Sequence, residues 1–344
     1  MEYYLQEKGK GCEIPKVDPF SAEAMKFVFN KKKIRCEGND WVICNKAECY
    51  VKKEILKNII DVTCSYRDIV YVDDSLYFLS DYTQVSGDEK YTLNRSDHVQ
   101  VSCSGRKLNS YIKRYSRWSG VKAGFRPVKT KPIPPDRKDS YNVVFLGFDS
   151  ASHNGFIRKM PKSFKFLTNR AVILNGYNVV GDGTPAALYP LLTGMSEYEH
   201  PDARIKITKK VFVDHELFLF HQLKKYGYRS AYFEDSPSVG TFQMRFNGFR
   251  QQPADHYLRA FLHESENGQP FFFSQQYCVG DTPQYQLLLN LTDEFLRLDG
   301  KKFGFTLIAD ISHDDFNMIG TADEDVARFL ETLAARRVFD DTLV

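Results

Sequence analysis

The chain has 344 residues, of which 42% are hydrophobic and 26% are charged. This indicates a folded protein of about two domains and excludes disorder, collagen and coiled coil as its main state. The 47 basic and 44 acidic residues give a formal net charge of +3, so nothing indicates nucleic acid as the main partner. No apolar run approaches the roughly 18 residues that span a bilayer. We therefore expect a membrane connection only through a segment outside this chain.

Residues 1–125 are predicted to form a small β-rich, disulfide-bonded module. Short apolar runs alternate there with polar residues and are separated by turn residues, which is typical of strands. Residues 126–140 are rich in proline and in basic side chains, and are predicted to form an extended, stiff linker. The apolar runs lie at 41–44, 68–72, 76–79 and 98–103.

Cysteine is concentrated at the N-terminal end of the chain. An even cluster of six favours disulfide bonds, although free thiols or a metal site are alternatives. Cys278 is the odd cysteine, which could pair with one of the six, link two chains or stay free. The six are Cys12, Cys36, Cys44, Cys49, Cys64 and Cys103.

Two sequons for N-glycosylation begin at Asn94 and Asn290. Together with the cysteines they favour the secretory route, and we expect an extracellular glycoprotein that is secreted or membrane-tethered. The first residues show no signal peptide, so we expect the N-terminus of the sequence to be incomplete.

From residue 141 onward, strand and helix patterns alternate. This predicts an α/β domain over 141–344, with a largely parallel sheet and helices on both of its faces. Strands are predicted at 141–148, 171–180, 228–233, 302–309 and 341–344, and helices at 154–167, 185–192, 214–225, 283–298 and 322–336.

Polar residues follow the first two predicted strands of this domain, where ligands of parallel sheets bind. Asp149 comes directly after the first strand, and Thr184 stands where a helix should begin. A hydroxyl at a helix N-terminus can meet a phosphate or sulfate group, and a cation held by Asp149 could turn it into a nucleophile. The alternative is that Thr184 only caps the helix and that Asp182 forms a turn.

A second polar group follows the predicted strand that ends at residue 309. Asp310 and His313, with Asp314 or Asp315 beside them, combine the imidazole and carboxylate ligands that zinc accepts. The alternative is a polar turn whose aspartates cap the next helix. Glu234 and Asp235 also follow a strand, and there a turn is the favoured interpretation.

Several motifs in the α/β part are specific. They include Asn142-Val-Val-Phe-Leu-Gly-Phe-Asp-Ser150, Gly176-Tyr-Asn-Val-Val-Gly-Asp-Gly-Thr-Pro185, Gly248-Phe-Arg-Gln-Gln-Pro-Ala-Asp-His-Tyr257 and Ile311-Ser-His-Asp-Asp-Phe-Asn317. These motifs, with the cysteine-bearing stretch from Cys12 onward, resemble the family catalogued as domain of unknown function 229. That family belongs to the alkaline phosphatase/sulfatase-like superfamily.

The resemblance implies an alkaline phosphatase-like fold with a two-metal site, and a divalent metal that we expect to be zinc. It implies that Asp149 is a metal ligand, that Thr184 is the nucleophile and a metal ligand, and that His313 with Asp310 holds the second metal. Thr184 does not lie in the Cys-x-Pro-x-Arg sequence that sulfatases convert to formylglycine. Phosphoester chemistry is therefore favoured over sulfate ester hydrolysis.

Relatives continue past the last predicted strand into a Ser-Asp-His-Gly motif that completes the metal site. We therefore expect this chain to be a fragment that lacks the C-terminal part of the domain, and to be inactive on its own. Two hypotheses remain. One is a metal-dependent phosphoester hydrolase or transferase acting on a phosphorylated or sulfated small molecule or glycan. The other is a non-catalytic extracellular binding protein with the same fold.

Overall fold

A computed structural model describes residues 17–108, 115–174, 176–214, 217–267 and 277–344. Within these ranges the chain is a mixed α/β protein, with antiparallel sheets in its N-terminal part and a parallel sheet in the rest. In the same ranges, no helix combines the length and the apolar character that crossing a membrane requires.

The N-terminal part contains two antiparallel sheets. Strands β1, β2 and β6 form the first, and β4, β3, β7 and β8 form the second, where β5 also pairs with β3. Their inward faces enclose an apolar core around Trp41 and Tyr66. The elements are α1 (Ala22–Met25), β1 (Val42–Asn45), β2 (Glu48–Val51), α2 (Lys53–Leu56), β3 (Ile59–Asp73), β4 (Leu76–Leu79), β5 (Thr83–Ser86), β6 (Lys90–Thr92), β7 (His98–Lys107) and β8 (Tyr115–Ala123).

Three disulfide bonds confirm the predicted use of cysteine. Cys44 bonds to Cys49 and Cys64 bonds to Cys103, both within the N-terminal part. Cys36 bonds to Cys278, 242 residues away, which settles the partner that the sequence left open. Cys12 lies outside the described residues.

Five parallel strands form the second part of the molecule, in the order β11-β10-β14-β9-β15. A two-stranded antiparallel ribbon, β12 with β13, lies apart from this sheet. The strands are β9 (Asn142–Phe148), β10 (Arg229–Glu234), β11 (His256–Tyr257), β12 (Cys278–Val279), β13 (Thr282–Pro283), β14 (Lys302–Ile308) and β15 (Thr342–Leu343).

Helices cover both faces of the parallel sheet. On β10, Ala231 and Phe233 pack into one apolar cluster with helices α8 and α9, while Tyr232 packs into another with α5 and α6. Because successive side chains of a strand point to opposite faces, the two clusters lie on opposite sides of the sheet. The helices are α3 (His153–Lys159), α4 (Pro161–Thr168), α5 (Thr184–Thr193), α6 (Leu219–Lys225), α7 (Arg259–Asn267), α8 (Gln284–Leu296) and α9 (Asp323–Ala335).

The strand predicted over 171–180 is wrong. Residues 171–174 and 176–180 form no strand, and Val172 and Val180 are 86% and 71% exposed. Strand β9 is hydrogen-bonded to β14 on one side and to β15 on the other, so neither of its edges is open to this segment. The apolar run was mistaken for a buried strand, since an apolar run alone cannot tell which residues the sheet buries.

Two predicted helices also differ from the structure. The helix predicted at 154–167 is two helices, because Pro161 starts α4 where its ring cannot continue the preceding helix. The helix predicted from residue 214 begins only at Leu219. The side chain of Asp214 instead accepts hydrogen bonds from the backbone N–H groups of Arg250 and Gln251.

Candidate functional site

The end of β9 and the start of α5 bring two predicted site residues into contact. The Thr184 hydroxyl lies 3.1 Å from Asp149 Oδ1 and 3.3 Å from Oδ2. Asp149 directly follows β9, and its backbone N–H donates to the carbonyl of Ile308 on the neighbouring strand. Thr184 is the first residue of α5, and Gly183 before it has a φ of 86°, a conformation that glycine adopts without strain. The hydroxyl and the carboxylate therefore form one unit at the carboxyl edge of the sheet.

A cavity of about 620 Å³ opens beside this pair. Asp149 and Thr184 line it, together with Asp182, Arg245 and His313. Exposed side chains of the irregular segment before α5, Tyr177 and Val179 among them, also reach its wall. The cavity therefore combines two carboxylates, several hydroxyls, a guanidinium and an imidazole with an apolar rim.

His313 reaches this cavity, whereas Asp310 does not line it. The carboxylate of Asp310 accepts a hydrogen bond from Gln284 Nε2 at 3.2 Å, and burial raises its pKa to about 6. His313 Nδ1 lies 2.7 Å from a carboxylate oxygen of its neighbour Asp314. Of the two predicted metal ligands, His313 thus lines the cavity and Asp310 does not.

Asp315 has the role predicted by the alternative interpretation, in which the aspartates of this turn cap the next helix. Its side chain accepts a hydrogen bond from the backbone N–H of Asn317 and so caps the short helical segment Phe316–Ala322. It also forms a 2.6 Å ion pair with Lys31. Asp315 therefore stabilises the fold at this position.

Two acidic residues at the end of β10, the half-buried Glu234 and the buried Asp235, support the loops around the cavity. Asp235 Oδ1 accepts hydrogen bonds from the backbone N–H groups of Ala309 and Asp310, and burial raises its pKa well above the usual value. Glu234 Oε1 accepts from both the N–H and the hydroxyl of Thr241. These contacts agree with a structural role for both residues.

Arg245 is the cavity residue that sequence reasoning missed. Its Nη1 donates to the backbone carbonyl of Asp182 at 2.9 Å, which brings the guanidinium next to the start of α5. It belongs to a long irregular segment between β10 and β11, where no periodicity ties a residue to a position in the fold. A basic residue in such a segment carries no sequence signal that would place it at the site.

The donors around the cavity fit part of a metal site. The oxygens of Asp149 and Thr184 and the imidazole of His313 are groups that zinc accepts. However, no group of three or more His, Cys, Asp or Glu side chains that could hold a metal ion occurs among the described residues. Since zinc usually takes about four ligands, the described residues supply an incomplete ligand set.

Comparison with known proteins identifies a family. A family model described as "Protein of unknown function (DUF229)" matches residues 24–344. The match spans the antiparallel sheets, the parallel sheet and the residues that line the cavity. Comparisons with curated proteins and with solved structures gave no match.

Proposed function

This chain belongs to the DUF229 family, and on that premise we propose that it is a metal-dependent phosphoester hydrolase or transferase with an alkaline phosphatase-like site. The contact between Thr184 Oγ1 and the carboxylate of Asp149, on the wall of an open cavity, carries the proposal. A hydroxyl that is already oriented by a carboxylate is the arrangement that an oxygen nucleophile needs. The family resemblance of the surrounding motifs supports the same chemistry.

Each residue of the pair has a distinct role in this proposal. Thr184 would transfer its hydroxyl proton to Asp149 as its oxygen forms a bond to phosphorus, while the bond between phosphorus and the ester oxygen breaks and the substrate's alcohol leaves. Water would then release the phosphate from Thr184. Asp149 fixes the direction of the hydroxyl and would also be a ligand of the cation. A bound divalent cation, expected to be zinc, would lower the pKa of the hydroxyl and neutralise phosphate charge.

The size and the polarity of the cavity support the substrate class that we propose. A volume of about 620 Å³ lies within the range of small-molecule sites. The apolar rim suits an organic group attached to the phosphate, and a phosphorylated small molecule or glycan fits both features. Three disulfide bonds support an extracellular location, because such bonds persist in oxidising compartments.

The experiment compares turnover of an aryl phosphate by the wild-type chain and by Thr184→Ala and Thr184→Ser, each with added zinc. We expect Thr184→Ala to lower kcat by about 10³-fold or more, as removal of a nucleophile does, and Thr184→Ser to retain part of the rate. Thr168→Ala, at the exposed end of α4, is the matched control and should leave the rate unchanged. Equal rates for wild type and Thr184→Ala would contradict the proposal.

A second candidate function is a non-catalytic extracellular binding protein. The incomplete ligand set among the described residues favours it, because the proposed chemistry depends on a bound cation. Lack of turnover by every variant, with or without zinc, would support it over the hydrolase.

A further inference from the structure

We propose that Arg245 is the anion-recognition residue of the cavity, and that it binds the non-reacting oxygens of a phosphate group next to Thr184. The proposal rests on the proposed function for the identity of the anion. It assigns the substrate-binding role to a side chain that lies 61 positions after the nucleophile in a segment without regular structure.

The guanidinium of Arg245 is held against the backbone that precedes Thr184. Its Nη1 donates to the carbonyl of Asp182 at 2.9 Å. A Cβ added to Gly183 would lie 2.7 Å from its Nη2, so a residue larger than glycine would displace the guanidinium. Gly183 therefore both permits the turn into α5 and leaves room for the guanidinium beside the nucleophile.

The backbone that carries Arg245 is anchored on two sides. The Arg245 carbonyl accepts a hydrogen bond from the N–H of Ile205 at 3.0 Å. Four residues earlier, the N–H and the hydroxyl of Thr241 donate to Glu234 at the end of β10, at 2.7 and 2.6 Å. The backbone of Arg245 is thus fixed by the fold before a ligand arrives, which reduces the entropy lost on binding.

The positive charge of the Arg245 guanidinium would allow this otherwise acidic cavity to bind an anion. Among the described residues that line the cavity, Arg245 is the one lysine or arginine, and Asp149 and Asp182 line the same cavity. Those carboxylates alone would repel a phosphate group. A guanidinium offsets that repulsion, and its planar set of N–H donors matches two phosphate oxygens at once.

The test is calorimetric titration of the whole chain with inorganic phosphate in the presence of zinc. We expect Arg245→Gln to weaken phosphate binding by about 10- to 100-fold, the usual loss for hydrogen bonds to a charged group. Arg245→Lys should fall between wild type and Arg245→Gln, because it keeps the charge and loses the paired donors. Arg250→Gln removes an exposed arginine that does not line the cavity, and should change the affinity by less than about twofold.

Binding and turnover separate this inference from the proposed function. Phosphate binding that depends on Arg245 without any turnover would overturn the hydrolase and leave the role of Arg245 intact. Equal phosphate affinity in wild type and Arg245→Gln, or no phosphate binding by the wild type, would overturn the role of Arg245.

Discussion

At the residue scale, burial and neighbouring charges set the protonation of the groups between the two parts of the molecule. The ring of His98, at the start of β7, lies 5.4 Å from the ring of Phe261, and burial lowers its pKa to about 4. Burial alone would raise the pKa of Asp97, yet the charges of His256 and Arg126 hold it at about 2. His256 lies 3.0 Å from a carboxylate oxygen of Asp97. These residues join the antiparallel part to the parallel sheet.

The lowered pKa of His98 predicts a pH dependence of stability. Its folded pKa of about 4 lies below the ordinary value of 6.5, so between these pH values the unfolded chain binds the extra proton. The free energy of unfolding should therefore rise as the pH increases from about 4 to 6.5, by up to about 3 kcal/mol for this group. Urea unfolding across this range should show a weaker rise for His98→Gln.

The control for this prediction is His153→Gln, which changes an exposed histidine at the start of α3. It should retain the wild-type slope of stability against pH. An unchanged slope in His98→Gln would show that burial does not suppress protonation of His98.

Single residues also show how far a sequence can locate this site. Asp149 could be predicted because it follows a parallel strand, at the edge of the sheet where ligands bind. Thr184 was placed at that edge through the strand predicted over 171–180, which is absent from the described residues, and only its position at the start of a helix was predicted for a reason that the structure confirms. His313 could be placed near that edge for the same reason as Asp149. Arg245 could not, since its position depends on contacts with Asp182 and Ile205, which are distant in the sequence.

At the scale of elements, continuous apolar runs identified the buried strands but also produced a wrong one. The runs at 141–148, 228–233 and 302–309 correspond to the parallel strands β9, β10 and β14. The run predicted at 341–344 contains β15. The run at 171–180 has a similar composition, but its described residues, 171–174 and 176–180, lie on the surface. Whether a sheet has an edge to accept a strand depends on the other strands, and no local pattern contains that information.

Substitution of one valine in each run tests the difference in burial between a true strand and the segment wrongly predicted as one. Val144 on β9 is 3% exposed and Val172 is 86% exposed. Val144→Ala should lower the free energy of unfolding by about 2 kcal/mol, from lost burial and the cavity left behind. Val172→Ala should change it by less than about 0.5 kcal/mol. A similar cost for both, measured by urea unfolding, would mean that the segment containing Val172 is buried.

At the scale of the whole molecule, the antiparallel part helps to shape the cavity. The turn between β3 and β4 inserts Asp74 into the parallel part, where its Oδ2 accepts hydrogen bonds from Gln243 Nε2 and the N–H of Phe249. These two residues flank Arg245 in the sequence. The N-terminal sheets therefore hold the segment from which the guanidinium reaches the site.

The disulfide between Cys36 and Cys278 adds a covalent link between the two parts. In the chain-entropy description it should contribute about 5 kcal/mol, against about 2 kcal/mol for Cys44–Cys49, because it closes a far longer loop. Cys36 and Cys278 are 242 residues apart in the sequence, whereas Cys44 and Cys49 are 5 residues apart. Urea unfolding of the two double serine variants should show the larger loss for Cys36→Ser/Cys278→Ser. An equal or smaller loss would indicate that the two parts are held together mainly by noncovalent contacts.

The most direct measurement of the central claim, that Thr184 and Asp149 act as one unit, is a double-mutant cycle on kcat/KM for an aryl phosphate. It combines Thr184→Ala, Asp149→Ala and the double variant. Residues that act together give non-additive losses, so the double variant should lose about as much activity as the more damaging single change. Losses that multiply, or a single variant that retains the wild-type rate, would contradict the account.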